Sequence, residues 1–222
     1  NKYDGLSYRN YGKGKIQMTD DASQIKFVPP ASKCCEIFDN LLEPHVAEYI
    51  DAKLKEVHWK YDYNSNKKIG IQPHWHVSCG KTEEVVISNG FDFLLDIWQA
   101  AAYKLNLKKD YNIVGWRRLY LNAHTHGVEP HMHSDDGDFT MMYYPRLDWK
   151  PEWLGGTAIW DDEGKNINRF CNYIGNRLLV FPAHNKHQAM PVSKFCYELR
   201  PVVVFKLYVG AGNVDRLDYY KK

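Results

Sequence analysis

The sequence lacks a disulfide pattern and any long hydrophobic run. Its five cysteines are an odd number, and Cys34 and Cys35 are adjacent, which is not the arrangement of a secreted disulfide framework. No apolar stretch reaches the roughly 18 residues needed to span a bilayer, and the N-terminal segment does not resemble a signal peptide. We therefore expect a soluble, cytoplasmic protein without membrane contacts.

An excess of charge of one sign is also missing. Lys and Arg number 29 and Asp and Glu number 27, for a formal net charge of +2. The basic stripe of a dedicated nucleic-acid binder is absent, so we expect no nucleic-acid partner. Internal repeats and low-complexity segments are not found either. The 222 residues suit a single domain with a sizeable core over residues 1–222.

The first half of the sequence predicts helices. One begins near Glu43-Pro44, because Pro suits the first helical position, and its apolar residues continue to Val57 at helical spacing. A second apolar stripe of this kind covers residues 91–105. Residues 1–32 are predicted to be an extended lead-in with one strand near Ile25–Val28. Residues 59–90 are predicted to form loops and short strands, including Ile69–Val77.

From Trp116 onward the pattern changes to short strands separated by turn residues. Strands are predicted at 116–122, 131–135, 139–144, 156–160, 171–174, 177–181, 187–190 and 201–209. Eight short strands predict a mainly β protein with a jelly-roll core, a double-stranded β-helix with the N-terminal helices packed on it. The predicted divisions are an extension with supporting helices at 1–115, the jelly-roll core at 116–209 and a C-terminal tail at 210–222.

The most informative motif is His133-Ser134-Asp135, followed much later by His187. Residues i and i+2 of a strand point to the same side, so His133 and Asp135 could reach one metal ion. Two histidines and one carboxylate are the ligand set that holds iron(II) on one face and leaves other positions open. The sequence therefore predicts a catalytic metal site formed by His133, Asp135 and His187.

Further motifs follow in a fixed order, and together they resemble the iron(II)/2-oxoglutarate-dependent dioxygenases, specifically the prolyl-4-hydroxylase-like branch. The resemblance covers about residues 116–209. It is carried by His133-Ser134-Asp135, Tyr143-Tyr144 before Asp148-Trp149, Gly155-Gly156, Phe181-Pro182 before His187, and Arg200.

The resemblance implies an activity and its cofactors. An enzyme of this kind uses iron(II), 2-oxoglutarate as co-substrate and O2 to hydroxylate its substrate, with release of succinate and CO2, and ascorbate is a further cofactor suggested by the family. Arg200 matches the cation that pairs with the far carboxylate of 2-oxoglutarate, and Tyr144 matches the tyrosine that hydrogen-bonds it. The branch favours a prolyl residue of a peptide or protein; other side chains and small molecules stay open, as does the oligomeric state.

One departure concerns the spacing before Arg200. It follows His187 by thirteen residues, a longer gap than is common in the branch, so Lys194 and Lys206 are alternative partners for the carboxylate. Arg200, Val202, Val204 and Lys206 share one face of the last strand. This places Lys206 near the barrel mouth, where it could contact substrate or co-substrate.

Further contacts to the ligands are expected from the first core strand. Arg118, Tyr120 and Asn122 share one of its faces, which makes Tyr120 and Asn122 candidates for binding the co-substrate or the substrate. The loops at 59–90 and 145–155, with Trp75, Trp149 and Trp153, are the expected substrate walls.

Other histidines leave alternatives for the metal site. His131 and His184 could replace His133 and His187 as ligands. His74 and His76 also have ligand-like spacing, whereas His124 and His126 are expected to be ordinary structural residues. A cupin-type enzyme would use His131, His133 and His187, although Asp138 stands where its Glu belongs. A third alternative is a non-catalytic jelly-roll module that binds carbohydrate or protein.

Overall fold

The computed structural model describes residues 35–64, 73–105 and 111–210, together with the backbone of three strands before residue 35. The strands are β1 Ser7–Tyr11, β2 Gly14–Met18, β3 Lys26–Val28, β4 Glu36–Phe38, β5 Lys60–Tyr63, β6 His74–Gly80, β7 Ile113–His124, β8 Phe139–Tyr144, β9 Thr157–Trp160, β10 Ile167–Cys171, β11 Arg177–Pro182, β12 His187–Ala189 and β13 Arg200–Val209. The helices are α1 Pro44–Lys55, α2 Glu83–Ser88 and α3 Leu95–Lys104.

The strands form antiparallel sheets. The largest has seven strands in the order β4-β11-β8-β13-β7-β6-β5, and a second has three in the order β10-β9-β12. The strands β1, β2 and β3 form a separate three-stranded sheet. Neighbouring strands are often far apart in sequence, so most pairings are long-range, as expected for a jelly roll.

The alternation of side chains along β13 divides the core in two. Val203, Phe205 and Leu207 belong to a buried cluster that also contains the apolar faces of α1 and α3. Val202 and Val204 belong to a second cluster, shared with residues of β9 and β11. The helices therefore cover one face of the seven-stranded sheet, and the other face packs within the barrel.

The helices begin where local chemistry favours it. Pro44 occupies the first turn of α1, where the missing N–H of proline is not needed. The side chain of Thr82 caps α2 by accepting from the amide of Val85. A 3-10 turn at Asp92–Leu94 precedes α3. Within the part of the chain that the structure describes, no helix has the length and apolar character to cross a membrane.

The mainly β jelly-roll fold with supporting helices is confirmed, with corrections to individual elements. No strand forms at 131–135, where only His133 makes an isolated bridge, to His187. The pairing does not continue because the amide of Asp135 donates to the carbonyl of Ala183, which is out of register with that bridge. The strand expected at 171–174 lies earlier in the chain, at Ile167–Cys171, and residues 172–174 form no strand. The ring of Tyr173 packs on Tyr144 and Trp149.

Other expectations differ in extent. The lead-in contains three strands rather than one, and α2 was not expected. Part of the predicted segment 69–77 and most of the predicted tail at 210–222 lie outside the described residues. The division of the chain at residues 115 and 209 stays a prediction.

Candidate active site

Backbone hydrogen bonds bring the three expected metal ligands together. The amide of His133 donates to the carbonyl of His187 at 3.0 Å, and the amide of His187 donates to the carbonyl of His133 at 2.8 Å. The amide of Asp135 donates to Ala183 at 2.8 Å. Ligand atoms of His133, Asp135 and His187 then lie within 4.8 Å of one another, the one such His/Asp group in the described ranges.

The two histidines are held in the form that binds a metal. The Nδ1 atom of His133 lies 3.0 Å from the carbonyl oxygen of His131, and the Nδ1 atom of His187 lies 3.0 Å from that of Asn185. A carbonyl only accepts, so both Nδ1 atoms carry the proton and both Nε2 lone pairs are free. The Nε2 atom of His187 is buried and hydrogen-bonds none of the described residues. A histidine nitrogen that binds a metal is expected to lack a hydrogen bond in the same way.

The charges of the cluster suit a divalent cation. Burial, followed by the charge of His187, lowers the pKa of His133 to about 4. Burial alone would raise the pKa of Asp135, but its ion pair with the Lys206 ammonium holds it well below its usual range. Neutral imidazole and ionised carboxylate are the forms that coordinate a metal. The residues therefore fit the iron(II) site that the sequence predicts.

The cluster lies in the wall of a cavity of about 990 Å³. The exposed fraction of the side chain increases from 1% at His187 to 12% at Asp135 and 38% at His133. The cavity is also lined by Arg200, by Tyr120 and Asn122 of β7, and by residues of β5 and β6. A metal held by the cluster would therefore face this open volume.

Arg200 provides an unneutralised positive charge in the same cavity. It is 1% exposed, and burial lowers its pKa. Its Nε donates to the carbonyl of Gly155 and its Nη2 donates to Thr157 Oγ1 at 3.3 Å. No carboxylate of the described residues forms an ion pair with it. A buried guanidinium of this kind is stabilised by an anionic ligand, and a carboxylate matches its planar geometry.

Tyr144 and Gly155 support Arg200. The Tyr144 hydroxyl donates to Thr157 Oγ1 at 2.8 Å, and its ring lies 5.7 Å from the Arg200 guanidinium. Tyr144 and Thr157 are both fully buried and do not line the cavity, so the Tyr144 hydroxyl contacts Thr157 and does not face the expected carboxylate position. Gly155 has a φ of +76°, and a Cβ there would lie 3.2 Å from the Arg200 side chain, so glycine leaves room for the arginine.

The remaining expected contacts occupy two different places. Tyr120 and Asn122 line the cavity, as the alternation of β7 predicts, and Asn122 Oδ1 lies 2.7 Å from Nδ1 of His76. Lys206 does not open to the mouth. It is 3% exposed, and its amine pairs with Asp135 Oδ2 and donates to Thr140 Oγ1.

The alternative metal and carboxylate ligands lie in less suitable positions than the residues first expected to bind. His131 lines the cavity with its ring 5.0 Å from that of His133, but it is not part of the metal-ligand group. His184 is exposed, and Lys194 places its amine over the ring of Phe195. The group includes Asp135 in place of His131, so the geometry favours the dioxygenase-type set over the cupin-type set.

The prediction that Trp75, Trp149 and Trp153 form the walls of the substrate cavity is wrong for these three side chains. Trp149 belongs to the inner core, where its ring packs 4.5 Å from Tyr173 and its Nε1 donates to the carbonyl of Leu154. Trp153 packs against Trp149 at 5.1 Å. Trp75 packs on Tyr61 at 5.0 Å. None of the three lines the cavity, within the ranges that the structure describes.

Two residues that line or support the site were missed from the sequence. His124 is buried, lines the cavity and pairs with Arg200 across β7 and β13. Its position two residues after Asn122 on the same face of β7 was the available signal. Thr157 joins Tyr144 to Arg200, and no sequence pattern marks it.

Comparisons with known proteins agree on the fold. The sequence matches no protein-family model and no curated protein. Among solved structures, a prolyl hydroxylase from Trichoplax adhaerens in complex with a hypoxia inducible factor oxygen degradation domain peptide fragment is 16% identical, with a TM-score of 0.52 over 78% of this chain and 82% of that chain. A Pseudomonas putida prolyl-4-hydroxylase is 12% identical, with a TM-score of 0.55 over 78% and 91%.

A third similar structure is an oxidoreductase of the 2OG-Fe(II) oxygenase family from Burkholderia pseudomallei. It is 12% identical, with a TM-score of 0.55 over 82% of this chain and 88% of that chain. These structures and this chain thus share the arrangement of their sheets at very low sequence identity. The chain has the jelly-roll fold of prolyl hydroxylases and other 2OG-Fe(II) oxygenases.

Proposed function

We propose that this protein is an iron(II)- and 2-oxoglutarate-dependent dioxygenase that hydroxylates a prolyl residue in a peptide or protein. The observation that carries the proposal is that one cavity is lined by the His133, Asp135 and His187 cluster and by the buried, unneutralised Arg200. A metal-ligand set alone or a cation alone would fit many proteins. Their combination fits a metal and a dicarboxylate bound side by side.

In this proposal His133, Asp135 and His187 hold iron(II). Bound iron supplies the chemistry that activates O2, while 2-oxoglutarate is oxidised to succinate and CO2 and one oxygen atom enters the substrate. The protein itself binds, orients and shields the reactants. A requirement for ascorbate stays a prediction.

Arg200 binds the far carboxylate of 2-oxoglutarate. Its side chain is fixed by Gly155 and Thr157, so little side-chain freedom is lost on binding. The surrounding rings of Tyr144 and Tyr173, at 5.7 and 5.4 Å, exclude water from the guanidinium. Electrostatic attraction between the two charges is stronger where water is excluded, which favours a dianionic co-substrate over a neutral one.

The substrate enters from the side of β5 and β6. Tyr61 and Tyr63 on this side are exposed and line the cavity, and aromatic faces of this kind pack well on an apolar ring. The Trichoplax prolyl hydroxylase is in complex with a peptide fragment, and this supports a peptide substrate. A prolyl side chain presents the small apolar ring that such a wall accommodates.

The proposal is tested by following conversion of 2-oxoglutarate to succinate with proline-containing peptides and the same peptides carrying alanine. We expect succinate release that depends on iron(II), O2 and a proline-containing peptide, with one oxygen atom gained by the peptide in mass spectrometry. Asp135→Ala should abolish both products, and Lys165→Met, an exposed control, should preserve them. Succinate formation without any gain of oxygen by a prolyl residue would refute the prolyl substrate, and absence of 2-oxoglutarate turnover with all substrates would refute the oxygenase.

A further inference from the structure

Lys206 is a buried cation that the proposed reaction does not use. It lies on β13, is 3% exposed and does not line the cavity. Burial lowers its pKa, and the charge of Asp135 opposes this effect. A lysine is rarely buried unless it is paired, so its contacts should indicate why it is there.

The contacts of Lys206 converge on a single oxygen atom. Its Nζ pairs with Asp135 Oδ2 and donates to Thr140 Oγ1 at 3.2 Å. The Thr140 hydroxyl in turn donates to the same Oδ2 at 2.6 Å. Lys206 and Thr140 are direct partners across β13 and β8, so regular strand pairing fixes both groups.

The other oxygen of Asp135 is left available. Oδ1 receives no hydrogen bond from the side chains that the structure describes, and it lies 3.7 Å from Nε2 of His133. With Oδ2 occupied by two donors, the carboxylate cannot rotate without breaking both contacts. One oxygen of the carboxylate is thereby anchored 3.3 Å from Nε2 of His187, and the other lies beside Nε2 of His133.

We propose that Lys206 and Thr140 are positioning residues that anchor Oδ2 of Asp135 and thereby fix the orientation of the carboxylate at the metal site. The inference rests on the metal site of the proposed function and adds to it a buried cation as the partner of the carboxylate ligand. Groups that orient a metal ligand typically contribute tenfold to a hundredfold to metal affinity. Lys206 therefore acts on the metal through Asp135, and it does not contact the substrate.

The test uses cobalt(II) alone, without co-substrate, because its visible spectrum reports the ligands and the coordination geometry. Wild type and variants are titrated with cobalt(II), and each apo protein is unfolded thermally to verify folding. Lys206→Met removes the charge at similar length, Lys206→Arg retains it, and Thr140→Val removes the hydroxyl at similar shape.

We expect Lys206→Met to weaken cobalt(II) binding by about tenfold or more and to change the visible spectrum. Thr140→Val should change both in the same direction, and Lys206→Arg should lie closer to wild type than Lys206→Met. The exposed Lys165, whose amine pairs with Glu163 at 2.7 Å, is the matched control, and Lys165→Met should leave affinity and spectrum unchanged.

Two outcomes would overturn the inference. One is wild-type cobalt(II) affinity and spectrum in a folded Lys206→Met or Thr140→Val protein. The other is equal weakening by Lys206→Met and Lys206→Arg, which would assign the effect to packing. Failure of the wild type to bind cobalt(II) would instead refute the metal site, and with it the proposed function, so the two failures are distinguishable.

Discussion

The backbones of His133 and His187 exchange two hydrogen bonds, of 3.0 and 2.8 Å, across a single isolated bridge. On its other side His187 pairs with Ile159 of β9. The two histidines are thus fixed by main-chain contacts, although they are 54 positions apart in the sequence. Their Nε2 atoms are positioned before any metal binds, so removal of one side chain should change the metal site without disturbing the sheet.

The first prediction separates the two ligand sets. Asp135→Ala should abolish retention of iron(II) after anaerobic loading and desalting, because the remaining two imidazoles carry no charge. His131→Ala should retain iron(II) like the wild type, since His131 lies outside the ligand group. Metal content per protein measures both. Loss of iron in His131→Ala together with retention in Asp135→Ala would favour the cupin-type set.

The second prediction concerns the co-substrate. Arg200→Met should raise the KM for 2-oxoglutarate by roughly a hundredfold, consistent with the 2–5 kcal/mol lost when one partner of a buried charged pair is removed. Lys194→Met should leave the KM unchanged, because the Lys194 amine lies over Phe195. Steady-state kinetics at saturating iron(II) measure both constants. An unchanged KM in Arg200→Met would move the carboxylate site elsewhere.

The third prediction concerns stability at Asn176, which has a φ of 59°. Its side chain accepts from the amide of Leu42 at 2.9 Å and the hydroxyl of Tyr143 at 3.2 Å, and it donates to the carbonyl of Leu42 at 2.8 Å. Asn176→Ala leaves these buried groups unpaired and should lower the free energy of unfolding by about 2–4 kcal/mol.

Urea unfolding of Asn176→Ala measures this loss. The exposed Asn172 provides the control, and Asn172→Ala should change the free energy of unfolding by less than about 0.5 kcal/mol. Equal effects of the two substitutions would show that the contacts of Asn176 with Leu42 do not hold the segment before α1 to the barrel.

The fourth prediction concerns acid stability through His74. Burial, together with the charge of His76, lowers its pKa from 6.5 to about 4, and Tyr63, His124 and Asn122 also face it. The unfolded chain takes up this proton first as the pH falls. The stability contributed by neutral His74 is therefore present above about pH 6.5 and is lost as the pH falls toward about 4.

Replacing His74 by glutamine should reduce the acid sensitivity of the fold. The difference between the free energies of unfolding at about pH 7.5 and about pH 4.5 should shrink by roughly 1–2 kcal/mol. His45→Gln, at an exposed position of α1, should leave that difference unchanged. Identical pH profiles for His74→Gln and wild type would contradict the prediction.

Much of the fold and the outline of the site could be predicted from the sequence. Short runs of consecutive apolar residues place β8, β11 and β13 closely, since both faces of these strands are buried. The alternation along β13 also puts Arg200 and Lys206 on one face, as found. Periodicity could not show the partner of Lys206, because its pairing with Asp135 depends on a loop that lies beside β13 only in the folded chain.

The segment 131–135 shows where strand periodicity fails. His133 and Asp135 have the spacing of a strand, yet only one residue pairs, and hydrogen bonds to the segment around Ala183 position the rest. Tyr144 shows a second limit. The motif places it next to Arg200, but its hydroxyl is bound by Thr157, and this contact depends on how β8 packs against β9. Long-range packing of this kind leaves no local pattern in the sequence.

The most direct measurement is an anaerobic titration of 2-oxoglutarate into iron(II)-loaded protein. Coordination of a 2-oxo acid to iron(II) gives a weak visible charge-transfer band. We predict a saturable band that is absent in Asp135→Ala and that requires a much higher concentration of 2-oxoglutarate in Arg200→Met. Iron binding without a band at any concentration would contradict the proposed oxygenase site.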